Sequence, residues 1–142
     1  MENVYQQMRD TMGARQLVGP GDAALLMVSG GSDSAALAYL MARARDEGAV
    51  GPVAMLHVNH QLRGQDAADD AAFAGDLAHL LDIPFFLCEV DVAGEAARSG
   101  GNVEAVARRE RYLAAAEALA SVCAHEQVPQ DAGRILCAHT AD

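Results

Sequence analysis

An apolar run of strand length, from Ala23 to Val28, stops abruptly at a loop rich in glycine and serine, Ser29 to Ser34. From Ser34 onward the apolar residues recur at helical spacing, and Gly48 supplies a stop. Three later strand-length runs alternate with further helical stretches. This alternation predicts parallel βαβ units, and therefore an α/β fold with a doubly wound, Rossmann-like sheet covered on both faces.

The order of the strands follows from right-handed crossovers that run outward from the first strand and then reverse. We predict the order 3-2-1-4, with strands near 23–28, 53–58, 84–90 and 134–138. A helix is expected over about 67–81. Residues 1–20 form a weakly patterned leader, and 1–142 are expected to make one domain.

The last long helix is expected to begin after Asn102, because asparagine is a favourable N-cap. Its buried face is predicted from helical spacing to consist of Val103, Val106, Leu113, Ala116 and Ala120. The stretches 94–101 and 126–133 have the composition of longer loops.

The composition excludes several classes of protein. All ten basic residues are arginine, so no lysine can serve a Walker A loop, a Schiff base or a general base. The cysteines, Cys88, Cys123 and Cys137, are an odd set without a CxxC pair, which indicates buried free thiols rather than disulfides, zinc or redox chemistry. No apolar run approaches membrane length and the polar start is no signal peptide, so a soluble cytoplasmic protein is expected.

The net charge of −10 is unevenly placed. Eight acids and no arginine or lysine lie between Asp66 and Glu95, whereas Arg108, Arg109 and Arg111 cluster on one later segment. A protein that binds nucleic acid over its whole surface would be basic, so this chain is not expected to hold tRNA tightly by itself.

The loop Ser29-Gly30-Gly31-Ser32-Asp33-Ser34 has the features of a phosphate site. Glycines allow an anion to approach the backbone, amides at a helix N-terminus favour negative charge, and the serines add hydroxyl donors. Asp33 is either a helix-cap acceptor or a carboxylate that holds Mg²⁺ against pyrophosphate. The simplest alternative is an ordinary glycine-serine turn.

The same hexapeptide matches the SGGxDS signature of PP-loop ATPases, the N-type ATP pyrophosphatases. Three further segments narrow the resemblance: HVNHQLR at 57–63, NVEAVARRERY at 102–112 and AHTAD at 138–142. In order and spacing the set resembles the N-terminal domain of tRNA(Ile)-lysidine synthetases, which implies the adenine nucleotide α-hydrolase-like fold.

The resemblance also implies a reaction and its site residues. ATP would adenylate the wobble cytidine of an isoleucine tRNA with release of pyrophosphate, and free lysine would then displace AMP. ATP would be bound by Ser29, Gly30, Gly31, Ser32, Asp33, Ser34, Arg108 and Arg111, Mg²⁺ by Asp33, and catalysis would involve Asp33, Asp142 and Arg108.

Because the family's HxADDQ element breaks off at Asp142, the resemblance implies a truncated domain. On its own it is expected to bind nucleotide weakly and to form no lysidine. Lysine and isoleucine tRNA are expected partners of the complete protein.

Other interpretations remain open for individual residues and for the whole chain. His57 and His60 lie three apart on a strand and should face opposite sides, so ordering of a loop fits them better than metal binding. Arg108 could simply pair with Glu104 on a helix surface. The chain could also be another PP-loop enzyme, such as a tRNA thiolase or an amide-forming synthetase, or a non-catalytic nucleotide-binding module.

Overall fold

The computed structural model describes residues 2–15, 18–29, 31–60 and 65–137. Four parallel strands form one sheet in the order β3-β2-β1-β4, which confirms the predicted order and the α/β fold. The strands are β1 Ala23–Met27, β2 Val53–Asn59, β3 Phe85–Glu89 and β4 Gly133–Cys137; the helices are α1 Glu2–Arg15, α2 Ser32–Asp46, α3 Gln65–Leu80, α4 Val92–Ser99 and α5 Val103–Glu126, and a short 3₁₀ turn spans Gln130–Ala132.

The strand β1 lies in the interior of the sheet, between β2 and β4, and its side chains are completely buried from Ala23 to Leu26. At its carboxyl end Met27 is in register with Leu56 of β2 and Cys137 of β4. A strand buried on both faces must be apolar throughout, which explains why it reads as a continuous run.

Two hydrophobic cores cover the two faces of the sheet. On one face, Ala24 and Leu26 pack with residues of α1, α2 and α3, including Tyr5, Met41 and Leu77. On the other face, the side chains of alternate strand residues pack against α5; they are Ala23, Leu25, Ala54 and Leu56. Because side chains alternate along a strand, the residues that lead into the loop after β1 are fixed to one face or the other.

The predicted buried face of α5 is wrong except at Val106. Val103 is 41% exposed and Leu113 is 52% exposed. The buried positions are mostly small, namely Val106, Ala114, Ala115, Ala118, Val122 and Cys123. Most of them lie in the second half of the helix, where small side chains let it approach the sheet closely; Val106 instead packs with α4. Because the buried positions hold small residues, a search for large apolar residues at helical spacing does not find this face.

The stretch 94–101, expected to be a loop, is mostly helical, since α4 covers Val92–Ser99. Its N-cap Asp91 accepts a hydrogen bond from the amide of Gly94, and Gly100 ends it in the left-handed conformation at φ 71°. Val92 and Ala96 pack with Val106 of α5 in a small third cluster. A helix of eight residues with an internal glycine is too short for its apolar pattern to be recognised in the sequence.

The expected leader contains the helix α1, which is anchored to α2 through Tyr5. Tyr5 is 3% exposed, its ring lies 4.0 Å from the Arg43 guanidinium, and its hydroxyl donates to Glu47 at 2.7 Å. Arg9 also donates to Glu47 at 3.0 Å. Tyr5 and Met8 are the apolar contacts of this helix among its described side chains, so it carries little amphipathic signal in its sequence.

The three cysteines are free, but only Cys123 is buried; Cys88 is half-buried and Cys137 is exposed. The expectation of buried thiols is therefore correct for one residue of the set. Cys88 and Cys137 lie on β3 and β4, the edge strands among the described residues, where one side of the strand lacks a neighbour.

One prediction concerns Gly51, which lies just before β2. A Cβ atom at Gly51 would come within 2.6 Å of the Asp22 carbonyl oxygen, which already accepts a hydrogen bond from the Gly51 amide at 2.9 Å. We expect Gly51→Ala to lower the free energy of unfolding by about 1–3 kcal/mol, as overpacking does. Thermal unfolding followed by circular dichroism measures the effect.

The matched control is Gly21→Ala, because no atom lies within 4 Å of the Cβ position at Gly21. We expect its melting temperature to stay close to that of the wild type. Equal melting temperatures for both variants would contradict the packing argument.

Candidate functional site

The loop that follows β1 lies at the carboxyl edge of the sheet and leads directly into α2. β1 crosses over to β2 on one side, while β4 pairs with β1 on the other side after the chain has reversed its direction of winding. Ligands of open parallel sheets bind at such a switch point, beyond the carboxyl ends of the strands. Residue 29 and residues 31–34 therefore occupy the position expected for a phosphate site.

The N-terminus of α2 has no side-chain cap. Gly31 is the N-cap residue, at φ −85° and ψ 164°, and no side chain bonds to the first amides of the helix as a cap. Asp33 lies within the first helical turn and is exposed, so the interpretation of Asp33 as the cap acceptor is wrong. Uncapped amides and the positive end of the helix dipole favour an anion at this end.

Hydrogen bonds within the loop hold its two ends together. The Ser34 hydroxyl is buried, at 4% residue exposure, and accepts a hydrogen bond from the Ser29 amide at 3.1 Å. The two serine hydroxyls lie 3.0 Å apart, and the Gly31 amide donates to the Ser29 hydroxyl at 3.2 Å. Ser34 therefore joins the start of the helix to the end of β1, whereas Ser32 is exposed.

Glycine at position 31 is not required by the surrounding protein. Its backbone angles suit any residue, and a Cβ atom there would meet only the Ser29 hydroxyl, at an ordinary 3.5 Å. Because glycine has no side chain, it leaves open the space above the helix N-terminus. An anion would contact the amides in that space.

The ring of His57 binds the end of β1. His57 is 6% exposed, and its Nδ1 lies 2.7 Å from the carbonyl oxygen of Val28, the residue just before the loop. Because a carbonyl oxygen only accepts, Nδ1 carries the hydrogen and donates it. The expectation that a histidine of this segment orders a loop is supported at His57.

His60 lies just beyond β2, in a different environment. Its Nε2 is buried and has no hydrogen-bond partner among the described residues. Burial lowers the pKa of His60, and the nearby Arg111 guanidinium and His57 lower it further. Leu56 and Val58 of β2 pack in one cluster with Ala114 of α5, so α5 passes close to the carboxyl end of β2.

The guanidinium groups of Arg108 and Arg111 lie 5.7 Å and 5.9 Å from the centroid of the Tyr112 ring. All three side chains are exposed. No ion pair joins Glu104 to Arg108 in the part of the chain that the structure describes, while Arg109 pairs with Glu95 of α4 at 3.5 Å.

A helix of 24 residues is about 36 Å long and a five-residue strand about 17 Å. With its second half on the sheet, α5 carries Arg108 and Arg111 at or beyond the carboxyl edge.

Several predicted residues lie outside the described residues: Gly30, Arg63, His139 and Asp142. Within the described ranges, no group of three or more histidine, cysteine or acidic side chains is arranged to hold a metal ion. Over the same ranges, no helix is long and apolar enough to span a membrane. The structure thus brings His57 together with the loop that contains Ser34, and it places His60 near Arg111.

A family profile described as a PP-loop domain matches residues 3–142. Among curated proteins, the chain is 44% identical over 93 residues to a tRNA(Ile)-lysidine synthase of Thermus thermophilus, covering 66% of this chain and 17% of that protein. It is 33% identical over 119 residues to the enzyme of the same name from Symbiobacterium thermophilum, covering 84% and 24%. The chain thus spans about a fifth of the length of these relatives.

Solved structures with the same fold are more distant in sequence. The U34-tRNA thiolase NcsA from Methanococcus maripaludis superposes with a TM-score of 0.64 at 18% identity, covering 98% of this chain and 45% of the thiolase. The NH₃-dependent NAD synthetase from Campylobacter jejuni gives 0.58 at 20% identity, covering 88% and 52%. These likenesses establish the fold, and the profile match over residues 3–142 establishes that the chain belongs to the PP-loop family.

Proposed function

We propose that this chain is the ATP-binding domain of a tRNA(Ile)-lysidine synthase, an enzyme that adenylates the wobble cytidine of an isoleucine tRNA and replaces AMP with lysine. The observation that carries ATP binding is the uncapped N-terminus of α2, directly after β1 at the switch point of the sheet. The lysidine reaction rests on the names of the curated relatives and on the resemblance over 57–63 and 102–112.

Adenylation breaks the bond between the α- and β-phosphates of ATP, so the site must hold a departing pyrophosphate. The amides of Gly31 and of the first turn of α2 would donate hydrogen bonds to that charge, since they lie at the positive end of the helix dipole. To bind phosphate, the Gly31 amide must exchange its present hydrogen bond with the Ser29 hydroxyl for one with the ligand.

Asp33 suits a magnesium-binding role. Its carboxylate is exposed in the first turn of α2, where it would repel a bare phosphate. Asp33 would hold a divalent cation, which would offset that repulsion and would supply charge stabilisation to the leaving group. We propose Asp33 as the metal-binding and catalytic carboxylate, with Asp142 as a second acid of the site.

Arg108 and Arg111 are proposed to contact phosphate groups of ATP or of the tRNA. Both extend from the part of α5 at or beyond the sheet, and guanidinium groups bind phosphate oxygens in pairs of hydrogen bonds. The exposed Tyr112 beside them offers an aromatic surface for stacking.

The fold of the thiolase from Methanococcus maripaludis raises the alternative of a tRNA thiolase, since that structure is described with a [4Fe-4S] cluster. The cysteines of this chain argue against a shared cluster. Cys88 and Cys137 lie on β3 and β4, which are separated by two other strands and therefore by about 14 Å. The fold is also shared with an NAD synthetase, so the fold by itself does not separate an amide-forming synthetase from a lysidine synthase.

The first test of ATP binding is Gly31→Val. The added side chain would fill the space above the amides, and we expect the dissociation constant for ATP to rise on the order of tenfold or more, because two amide–phosphate contacts are lost. Isothermal calorimetry measures it, with pyrophosphate expected to compete better than orthophosphate.

Gly21→Val is the matched control, since Gly21 is an exposed glycine with open space at its Cβ position. Both variants should unfold at temperatures near that of the wild type. Unchanged ATP affinity in folded Gly31→Val would contradict the proposed phosphate site.

The second test concerns the metal. Asp33→Asn keeps the shape of the side chain and removes its charge, so we expect the increase in ATP affinity on adding Mg²⁺ to be smaller in the variant than in the wild type. Titrations with and without Mg²⁺ give the comparison, and Asp46→Asn, at the far end of α2, is the control. Equal Mg²⁺ dependence in wild type and Asp33→Asn would remove Asp33 from the metal site.

The third test concerns the tRNA. Because binding of tRNA depends on phosphate neutralisation and this chain has a net charge of −10, we expect it to bind ATP but to transfer no lysine to tRNA. The assay incubates the chain with ATP, Mg²⁺, labelled lysine and isoleucine tRNA. Label found in the tRNA would show that these 142 residues suffice for the reaction.

A further inference from the structure

The two buried polar side chains of the described residues act on one peptide group. Among the described residues these are Ser34, which is 4% exposed, and His57, which is 6% exposed. His57 donates to the carbonyl oxygen of Val28, and Ser34 accepts from the amide of Ser29. That carbonyl and that amide belong to the same planar unit, the peptide between Val28 and Ser29.

We infer that His57 is a positioning residue for nucleotide binding, acting with Ser34 as a peptide clamp that fixes the Val28–Ser29 peptide at the entrance of the loop. The inference rests on the proposed function, and it adds a residue of β2 to the site. His57 lies on a neighbouring strand, outside the signature hexapeptide, and contacts the start of the loop through the carbonyl oxygen of Val28.

The position of His57 on β2 directs its ring toward the face of the sheet that α2 covers. His57 has the same strand parity as Met55, which packs in the core shared with α2, so its side chain lies on the face of the sheet from which α2 rises. The amide of Val28 is also fixed, by a 2.9 Å bond to the Leu56 carbonyl. Val28 is thus held by β2 through both its amide and its carbonyl group.

The clamp matters for an anion because it sets which way the peptide dipole points. A carbonyl oxygen turned toward the loop would repel phosphate, whereas here the oxygen of Val28 is held by His57 and the attached amide points to Ser34. Fixing this peptide before the ligand arrives reduces the reorganisation that binding requires. The Nδ1–H group donates in both the neutral tautomer and the charged ring, so the clamp does not depend on protonation of His57.

The test compares His57→Phe with His57→Asn. The amide nitrogen of asparagine lies the same number of bonds from Cα as Nδ1, so Asn retains the donor, while Phe keeps the ring and loses it. We expect ATP to bind about tenfold more weakly to His57→Phe, the value of one lost hydrogen bond, and nearly as in the wild type to His57→Asn. His57→Gln, with its amide one bond further out, should not rescue.

A second measurement does not depend on ATP. Hydrogen exchange of the Ser29 amide, followed by NMR in the free protein, should accelerate in His57→Phe and in Ser34→Ala, and the two substitutions combined should be less than additive because they act on one peptide. The control is Arg45→Met, which removes bonds of 3.0 Å to the carbonyls of Leu81 and Asp82 at the opposite end of the molecule. It should lower stability without changing ATP affinity or Ser29 exchange.

These measurements separate the possible failures. Unchanged Ser29 exchange in folded His57→Phe would overturn the clamp. Faster exchange with unchanged ATP affinity would overturn the positioning role and leave His57 a structural residue. If the wild-type chain does not bind ATP, the proposed function fails and the positioning role fails with it, while Ser29 exchange still decides whether the clamp exists.

Discussion

The burial of β1 is the constraint on which the other features depend. A strand with neighbours on both edges and side chains buried on both faces can meet a ligand only at its ends, since its backbone is paired along its length. In open parallel sheets the ligand lies beyond the carboxyl end. The chain leaves that end at Val28 and must turn within a few residues to start α2. The direction of this turn decides where the amides of the helix point.

The turn is held both by β2 and by hydrogen bonds within the glycine-serine loop. Val28 is bound to β2 through the Leu56 carbonyl and the His57 ring, and Ser29 is bound to α2 through Ser34. Among these contacts, the backbone bond belongs to the sheet, whereas the side-chain bonds require two particular polar residues to be buried. Burying a polar group is costly unless it is hydrogen-bonded, so their burial is consistent with a role in ordering the loop.

Charge is unevenly distributed along the chain. The acidic stretch 66–95 runs through α3, β3 and α4, whereas Arg108, Arg109 and Arg111 lie on α5. The fold brings part of the two stretches together, because Glu95 of α4 pairs with Arg109 of α5 at 3.5 Å.

The sequence alone determined the strand order, the place of the glycine-serine loop between β1 and α2, and the cap at Asn102, whose side chain accepts from the amides of Glu104 and Ala105. These features are encoded locally, in apolar period, glycine position and cap chemistry. It did not determine α1, α4 or the alanine face of α5, since their stability comes from contacts with distant residues rather than from their own periodicity. Only the tertiary structure decided that Asp33 is not a cap and that His57 reaches Val28, because hydrogen bonds between residues 29 positions apart exist only once the strands have paired.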